Sequence, residues 1–153
     1  MRSLFEVLGV ASLFALAWVS AAQAQSANSP PFDTPTVVSG VETVCSGVGV
    51  SDADAARWAK YPIKVVLAGK AGQFLGGAAV TLSQGGNALV TVTCGGPWTL
   101  FKVPPGHYEI SGNYQGETEK ATVDAPAAGQ GRAVLRFLNK GGAVSPEYKQ
   151  PTQ

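Results

Sequence analysis

Histidine, cysteine and clustered carboxylates carry most side-chain chemistry at neutral pH, and this 153-residue chain has one histidine and two cysteines. The histidine, His107, follows Pro104-Pro105-Gly106 and precedes Tyr108, which places it at a turn edge and on the outer face of a strand. A hydrolytic zinc site takes two histidines and a glutamate, or an equivalent set, and keeps one coordination position open. A lone histidine does not supply that set, and no stretch of the chain is a catalytic or cofactor motif. No cofactor and no metal are expected. Net charge is +1, so there is no basic stripe to neutralise phosphates, and nucleic acid is not an expected partner. What remains is the pair Cys45 and Cys94, either a disulfide or two separate buried thiols.

The compartment bears on that choice. Residues 1–24 read as a secretory signal peptide: Arg2 is the positive start, Leu8 to Val19 is almost wholly apolar, and Ala22-Gln23-Ala24 is a cleavage site. The apolar run is short against the roughly 20 helical residues that span a bilayer. Cleavage after Ala24, a periplasmic or secreted location and no membrane attachment after cleavage are therefore expected. An even cysteine count in an oxidising compartment favours a bridge.

The elements that position these residues follow from pattern. Gly (19), Pro (10) and a charged fraction of only 14% suit a turn-rich β protein. Residues 25–45 read as a flexible or extended leader, polar and proline-rich at first, then alternating β-branched residues with glycine. Ser51 is an N-cap and Pro62 a stop, giving a short helix over 51–60 that Trp58 docks on the body of the domain. From Ile63 the period is two. Strands are expected at Ile63–Leu67, around Val80–Leu82, Leu89–Cys94, Trp98–Val103, Tyr108–Tyr114, Glu117–Val123 and Ala133–Phe137, with turn signals between them. Trp98, Leu100 and Val103 are read as one inward face, and Tyr108, Ile110 and Tyr114 as another. In the turn between them proline fixes φ and Gly106 takes a positive φ, while Tyr108 is a tyrosine corner bonded to nearby backbone. The sequence is read as one all-β domain over 46–138, a seven-stranded antiparallel Greek-key sandwich, with a disordered tail over 139–153.

Taken together, Y-P-I-K-V-V-L-A-G, the G-P-W strand, V-P-P-G-H-Y-E-I, N-Y-Q-G-E-T and R-A-V-L-R-F resemble exported carboxypeptidase-regulatory-like domain proteins of bacteria. The resemblance covers about Ser46 to Phe137. It implies a prealbumin-like (transthyretin-type) sandwich and a stand-alone accessory module without known chemistry. The signal peptide and the missing catalytic set point to a non-catalytic module that binds an envelope protein or glycan. If the first and last strands pair, as that fold implies, Lys64, Arg132 and Arg136 share one outer face and form a possible anion-binding patch; the plainer reading is three charges that keep the face wet.

Two related folds supply alternatives. Hydroxyisourate hydrolases resemble transthyretin but use several histidines and a Tyr-Arg-Gly-Ser ending, whereas this chain ends K-Q-P-T-Q. Collagen-adhesin B-type domains link a first-strand lysine to a last-strand asparagine, and Lys64 and Asn139 occupy similar places. The assisting acid of that motif is replaced here by Gly112. The cysteine pairing is open to direct measurement: alkylation of the unreduced, denatured protein should label no thiol, and reduction should expose both. Labelling of both before reduction refutes the bridge.

Overall fold

Three two-residue turns set the registers of the hairpins. Ser39-Gly40, Gly85-Gly86 and Gln115-Gly116 each hold both central residues at positive φ, the backbone whose twist matches antiparallel strands. The computed structural model describes residues 28–47 and 56–139. Within them lie nine strands: β1 (Thr36–Val38), β2 (Val41–Ser46), β3 (Ile63–Gly69), β4 (Ala79–Gln84), β5 (Asn87–Thr93), β6 (Trp98–Lys102), β7 (Gly106–Tyr114), β8 (Glu117–Ala125) and β9 (Gly131–Phe137). They form a five-stranded sheet in the order β1-β2-β6-β3-β9 and a four-stranded sheet in the order β5-β4-β7-β8. One apolar core draws on both sheets, with Ile63, Leu67, Phe101, Leu135 and Phe137 from the first and Val80, Leu82, Tyr108 and Ile110 from the second. The chain is all-β.

The seven expected strands are β3 to β9, and the structure adds two. Of the leader expected over 25–45, residues 28–45 are described, and from Thr36 they are paired chain: β1 and β2 form a hairpin, and β2 lies antiparallel beside β6, with Cys45 opposite Thr99. The sheet therefore begins ten residues before position 46. Nor is the fold wholly antiparallel, because β3 and β9 pair in parallel from Ile63↔Gly131 to Gly69↔Phe137. Of the helix expected over 51–60, only 56–58 is helical among the described residues, and 51–55 lies outside them. The signal peptide over 1–24 and the tail from 140 also lie outside.

One facing assignment is corrected. Val103 and Phe101 belong to the core between the sheets, whereas Leu100 packs with Val44, Trp58 and Tyr61 on the other side of its sheet. Trp98, two residues before Leu100, shares that outer side. The pattern misled because Trp98, Thr99, Leu100 and Phe101 are all buried. A strand covered on both faces shows no polar alternation from which a face can be read.

Trp58 does anchor its segment. Its ring meets Tyr61 edge-on with centroids 5.8 Å apart, and Gln130 Nε2 donates to the carbonyls of Trp58 and Tyr61 at 3.0 and 2.8 Å. The Tyr108 hydroxyl donates to the Pro104 carbonyl at 2.8 Å, closing the corner over the turn. Gly106 opens β7 without a positive φ. An added Cβ there would lie 3.1 Å from the flexible end of Gln84 and at ordinary contact distance, 3.6 Å, from the Tyr108 ring.

The Cys45–Cys94 disulfide forms, with Cα atoms 5.2 Å apart and both cysteines fully buried. It joins β2 of one sheet to the residue after β5 of the other. A closed loop of 49 residues is worth about 4 kcal/mol by chain entropy. Such a bond belongs to an oxidising, non-cytoplasmic environment.

Gly112 lets the two sheets approach. A Cβ there would stand 2.6 Å from Leu135 Cδ1 and 3.2 Å from Phe137 Cζ. Gly112→Ala should cost about 1–3 kcal/mol through overpacking, read as a lower midpoint of urea unfolding. An unchanged midpoint would show that the β7–β9 contact yields freely.

Candidate functional site

The parallel register of β3 and β9 places Lys64 opposite Arg132 and Ala68 opposite Arg136. Residues opposite one another share a face, so the three basic residues do stand on the outer face of the five-stranded sheet. Their arrangement is uneven. Lys64 and Arg132 are cross-strand neighbours, whereas Arg136 is four residues further along β9, about 13 Å from Arg132. The three do not converge on one small anion. They form a row along the sheet edge.

Lys64 is the best-positioned member. Its Nζ sits 3.1 Å from the centroid of the Trp98 ring, with the ammonium held against the negative face of the indole. Burial pushes the Lys64 ammonium below its ordinary range, and the charge of Arg132 adds to the shift. Among the described residues, the ion pairs are Lys102–Glu42 and His107–Asp124, so no carboxylate neutralises Lys64, Arg132 or Arg136. Like charges directly opposite each other in a sheet are unfavourable. The β3–β9 register places two here, and no described carboxylate pairs with them.

Around this face the packing is fixed by contacts that the sequence did not announce. Tyr61 donates its hydroxyl to Glu42 Oε1 at 2.7 Å, tying the 56–61 segment to β2. Arg57 lies over Trp58, 4.3 Å from the ring centroid, and donates to the Asp33 carbonyl at 3.1 Å. Asp33 in turn accepts from Ser46 Oγ at 2.7 Å, and its N–H donates to the Cys45 carbonyl. Beside it the Phe32 ring lies against Gly47, Gly95 and Gly96, which accounts for the paired glycines before Pro97 and Trp98. The available signal was a Gly-Gly pair beside an aromatic-binding bend. Its partner, Phe32, is too distant in sequence to infer.

The other candidate chemistry is placed apart. His107 is exposed and meets Asp124 Oδ1 at 2.7 Å, opposite it on β8. Among the described residues no three metal-ligating side chains gather. Lys64 stands near the start of the β3–β9 pair and Asn139 beyond its far end, roughly 20 Å along the strand; the Asn139 N–H donates to Glu117. A lysine–asparagine amide link is out of reach in this geometry. On the outer face of the four-stranded sheet, a shallow groove is lined by Ser83, Glu109, Ser111, Lys120 and Thr122. It is hydroxyl-rich, with Glu109 its one carboxylate. Among the described residues no helix is long and apolar enough to cross a membrane.

No family model matches the chain, and no curated protein matches it.

The Glu42 contacts make the edge of this face acid-sensitive. The Tyr61 hydrogen bond holds the Glu42 carboxyl below its ordinary range; burial opposes this, and the Lys102 charge assists it. A carboxyl depressed by folding contributes stability above its ordinary value of 4.5, and that contribution is lost as pH falls through the folded value. Acidification should therefore lower the melting temperature through this range. Glu42→Gln should show a smaller fall, and equal falls in both proteins would remove Glu42 from the account.

Proposed function

We propose that this protein is an exported, non-catalytic β-sandwich module that binds an anionic component of the bacterial envelope through Lys64, Arg132 and Arg136. The observation that carries the reading is the Lys64–Arg132 neighbour pair, with Lys64 held over Trp98 and no carboxylate paired with either among the described residues. Two uncompensated cations side by side are a cost in the free protein that an anionic ligand relieves. The buried disulfide supports an extracytoplasmic site of action, periplasmic or secreted, and the signal-peptide pattern of residues 1–24 agrees with it.

The carboxypeptidase-regulatory-like, prealbumin-type reading draws support from the pairing of β3 with β9, the first and last of the seven strands that the resemblance covers. The Greek-key topology belongs to the same proposal. The hydrolase alternative rests on His107 alone, and no observation favours it.

Cross-linking in intact cells tests the binding role. The wild-type protein should capture an envelope protein or an acidic glycan, and capture should weaken as salt rises. Replacing Lys64, Arg132 and Arg136 together by glutamate should abolish capture while leaving export intact. Equal capture by that variant refutes the site. Robust turnover of ester, peptide or hydroxyisourate substrates by the purified protein would refute the non-catalytic reading.

A further inference from the structure

Charge is divided between the two outer faces of the sandwich. Arg57 and Lys60 lie over the rings of Trp58 and Tyr61, which pack on Val44 and Leu100 at the outer side of the five-stranded sheet. Lys64, Lys102, Arg132 and Arg136 stand on the same side of that sheet. The described carboxylates there are Glu42, tied to Tyr61 and Lys102, and Asp33, which accepts from Ser46. The outer face of the four-stranded sheet carries Glu109 and Lys120, with Asp124 meeting His107. Among the described residues, the balance is positive on the first face and not on the second.

Exposed apolar side chains accompany the positive charge. Along β9, Ala133, Leu135 and Phe137 enter the core, while Arg132, Val134, Arg136 and Leu138 point outward, with Val134 41% and Leu138 52% exposed. Val134 is the exposed end of an apolar strip, because it lies opposite Val66, which lies opposite Trp98. Lys64 and Arg132 flank that strip on one side and Arg136 on the other. β8 runs beside β9, and its Glu117 accepts from the Leu138 and Asn139 N–H groups at the end of the row. Among the described residues, no ion pair joins Glu119 of β8 to Arg136.

Anionic occupants differ in how they use such a row. A soluble polyanion meets the cations and leaves Val134 and Leu138 in water. A bilayer surface offers phosphates at headgroup level and an apolar zone a little deeper. Long arginine stems can lie along the surface, which keeps guanidinium groups at the headgroups beside shorter apolar side chains. We infer that this face rests on an anionic phospholipid surface, with Lys64, Arg132 and Arg136 at the phosphates and Val134 and Leu138 at the headgroup–acyl boundary. The contact is peripheral and needs no membrane-spanning segment. It rests on the reading of the three cations as a binding face, and it commits that face to lipid rather than to a soluble glycan or a protein.

The test is flotation of the protein recovered after export with unilamellar vesicles. Vesicles of equal phosphatidylglycerol and phosphatidylcholine should bind it, and phosphatidylcholine alone should bind at least about tenfold more weakly. Binding should fall as salt rises. Arg132→Gln with Arg136→Gln should weaken binding to the mixed vesicles at least about fivefold, whereas Lys120→Gln, on the other sheet, should not weaken it. Val134→Thr with Leu138→Ser decides the lipid assignment, because it leaves every charge in place. That variant should bind the mixed vesicles at least about threefold more weakly. Both positions are exposed, and threonine keeps the β-branched shape of valine.

Capture of alginate, a soluble acidic polysaccharide, without binding to either vesicle would overturn the lipid partner and leave the proposed function standing. Binding of neither would remove both. Equal binding of the Val134 and Leu138 variant would overturn the inference, since charge alone would then account for attachment. Equal binding of the arginine variant would place the contact on another face and overturn it as well. A salt-sensitive dimer that the arginine variant dissociates would give the face to a second copy, whose Glu109 and Asp124 offer the opposite charge, and would end the inference.

Discussion

The pairing of β3 with β9 is the contact on which the rest depends. It joins segments about 70 residues apart, so its closure carries a loop-entropy cost that grows slowly with length and must be met by contacts formed at the same time. Those contacts are evident: Ile63, Val65 and Leu67 from one strand and Ala133, Leu135 and Phe137 from the other enter one core. On the opposite face the same register sets Lys64 beside Arg132. Core and candidate site are two sides of one ladder, and a slip of one residue would exchange them.

A second constraint is the burial of β6 on both sides. Thr99 and Phe101 are buried on one face, while Leu100 lies beneath Trp58 and Tyr61 on the other. This makes β6 the middle of a layered arrangement rather than a wall of it. The 56–61 segment acts as a lid on the first sheet, held by Gln130 from the loop before β9 and by Glu42 from β2. The disulfide fixes β2 to the far sheet, so the hairpin that flanks β6 is covalently anchored. Trp98, at the end of this covered strip, is where packing ends and the cationic row begins.

The proposed function follows from what the packing leaves unpaired. The four-stranded sheet presents an outer face of hydroxyls, and its His107 and Asp124 are paired with each other. The five-stranded sheet leaves three cations without a counter-charge among the described residues. Cationic side chains at an edge also discourage self-association.

Much of this architecture was legible in the residues. Period-two alternation marks β7 and β9, whose odd and even positions differ sharply in polarity, and Gly-Gly and Gln-Gly mark the turns because positive φ is costly for other residues. The tyrosine corner and the bridge between the two cysteines follow from local chemistry and parity. The facing of Trp98 and Leu100 was not legible, because both faces of β6 are apolar and alternation vanishes. Neither were β1 and β2 as members of a sheet, since their pairing with β6 is long-range and leaves no periodic trace in three to six residues. The proximity of Lys64 to Arg132 exists only once β3 and β9 lie in register. Sequence determined which residues prefer strand, turn or core; the tertiary structure decided which strands are neighbours, because that choice rests on pairings between residues far apart in the chain.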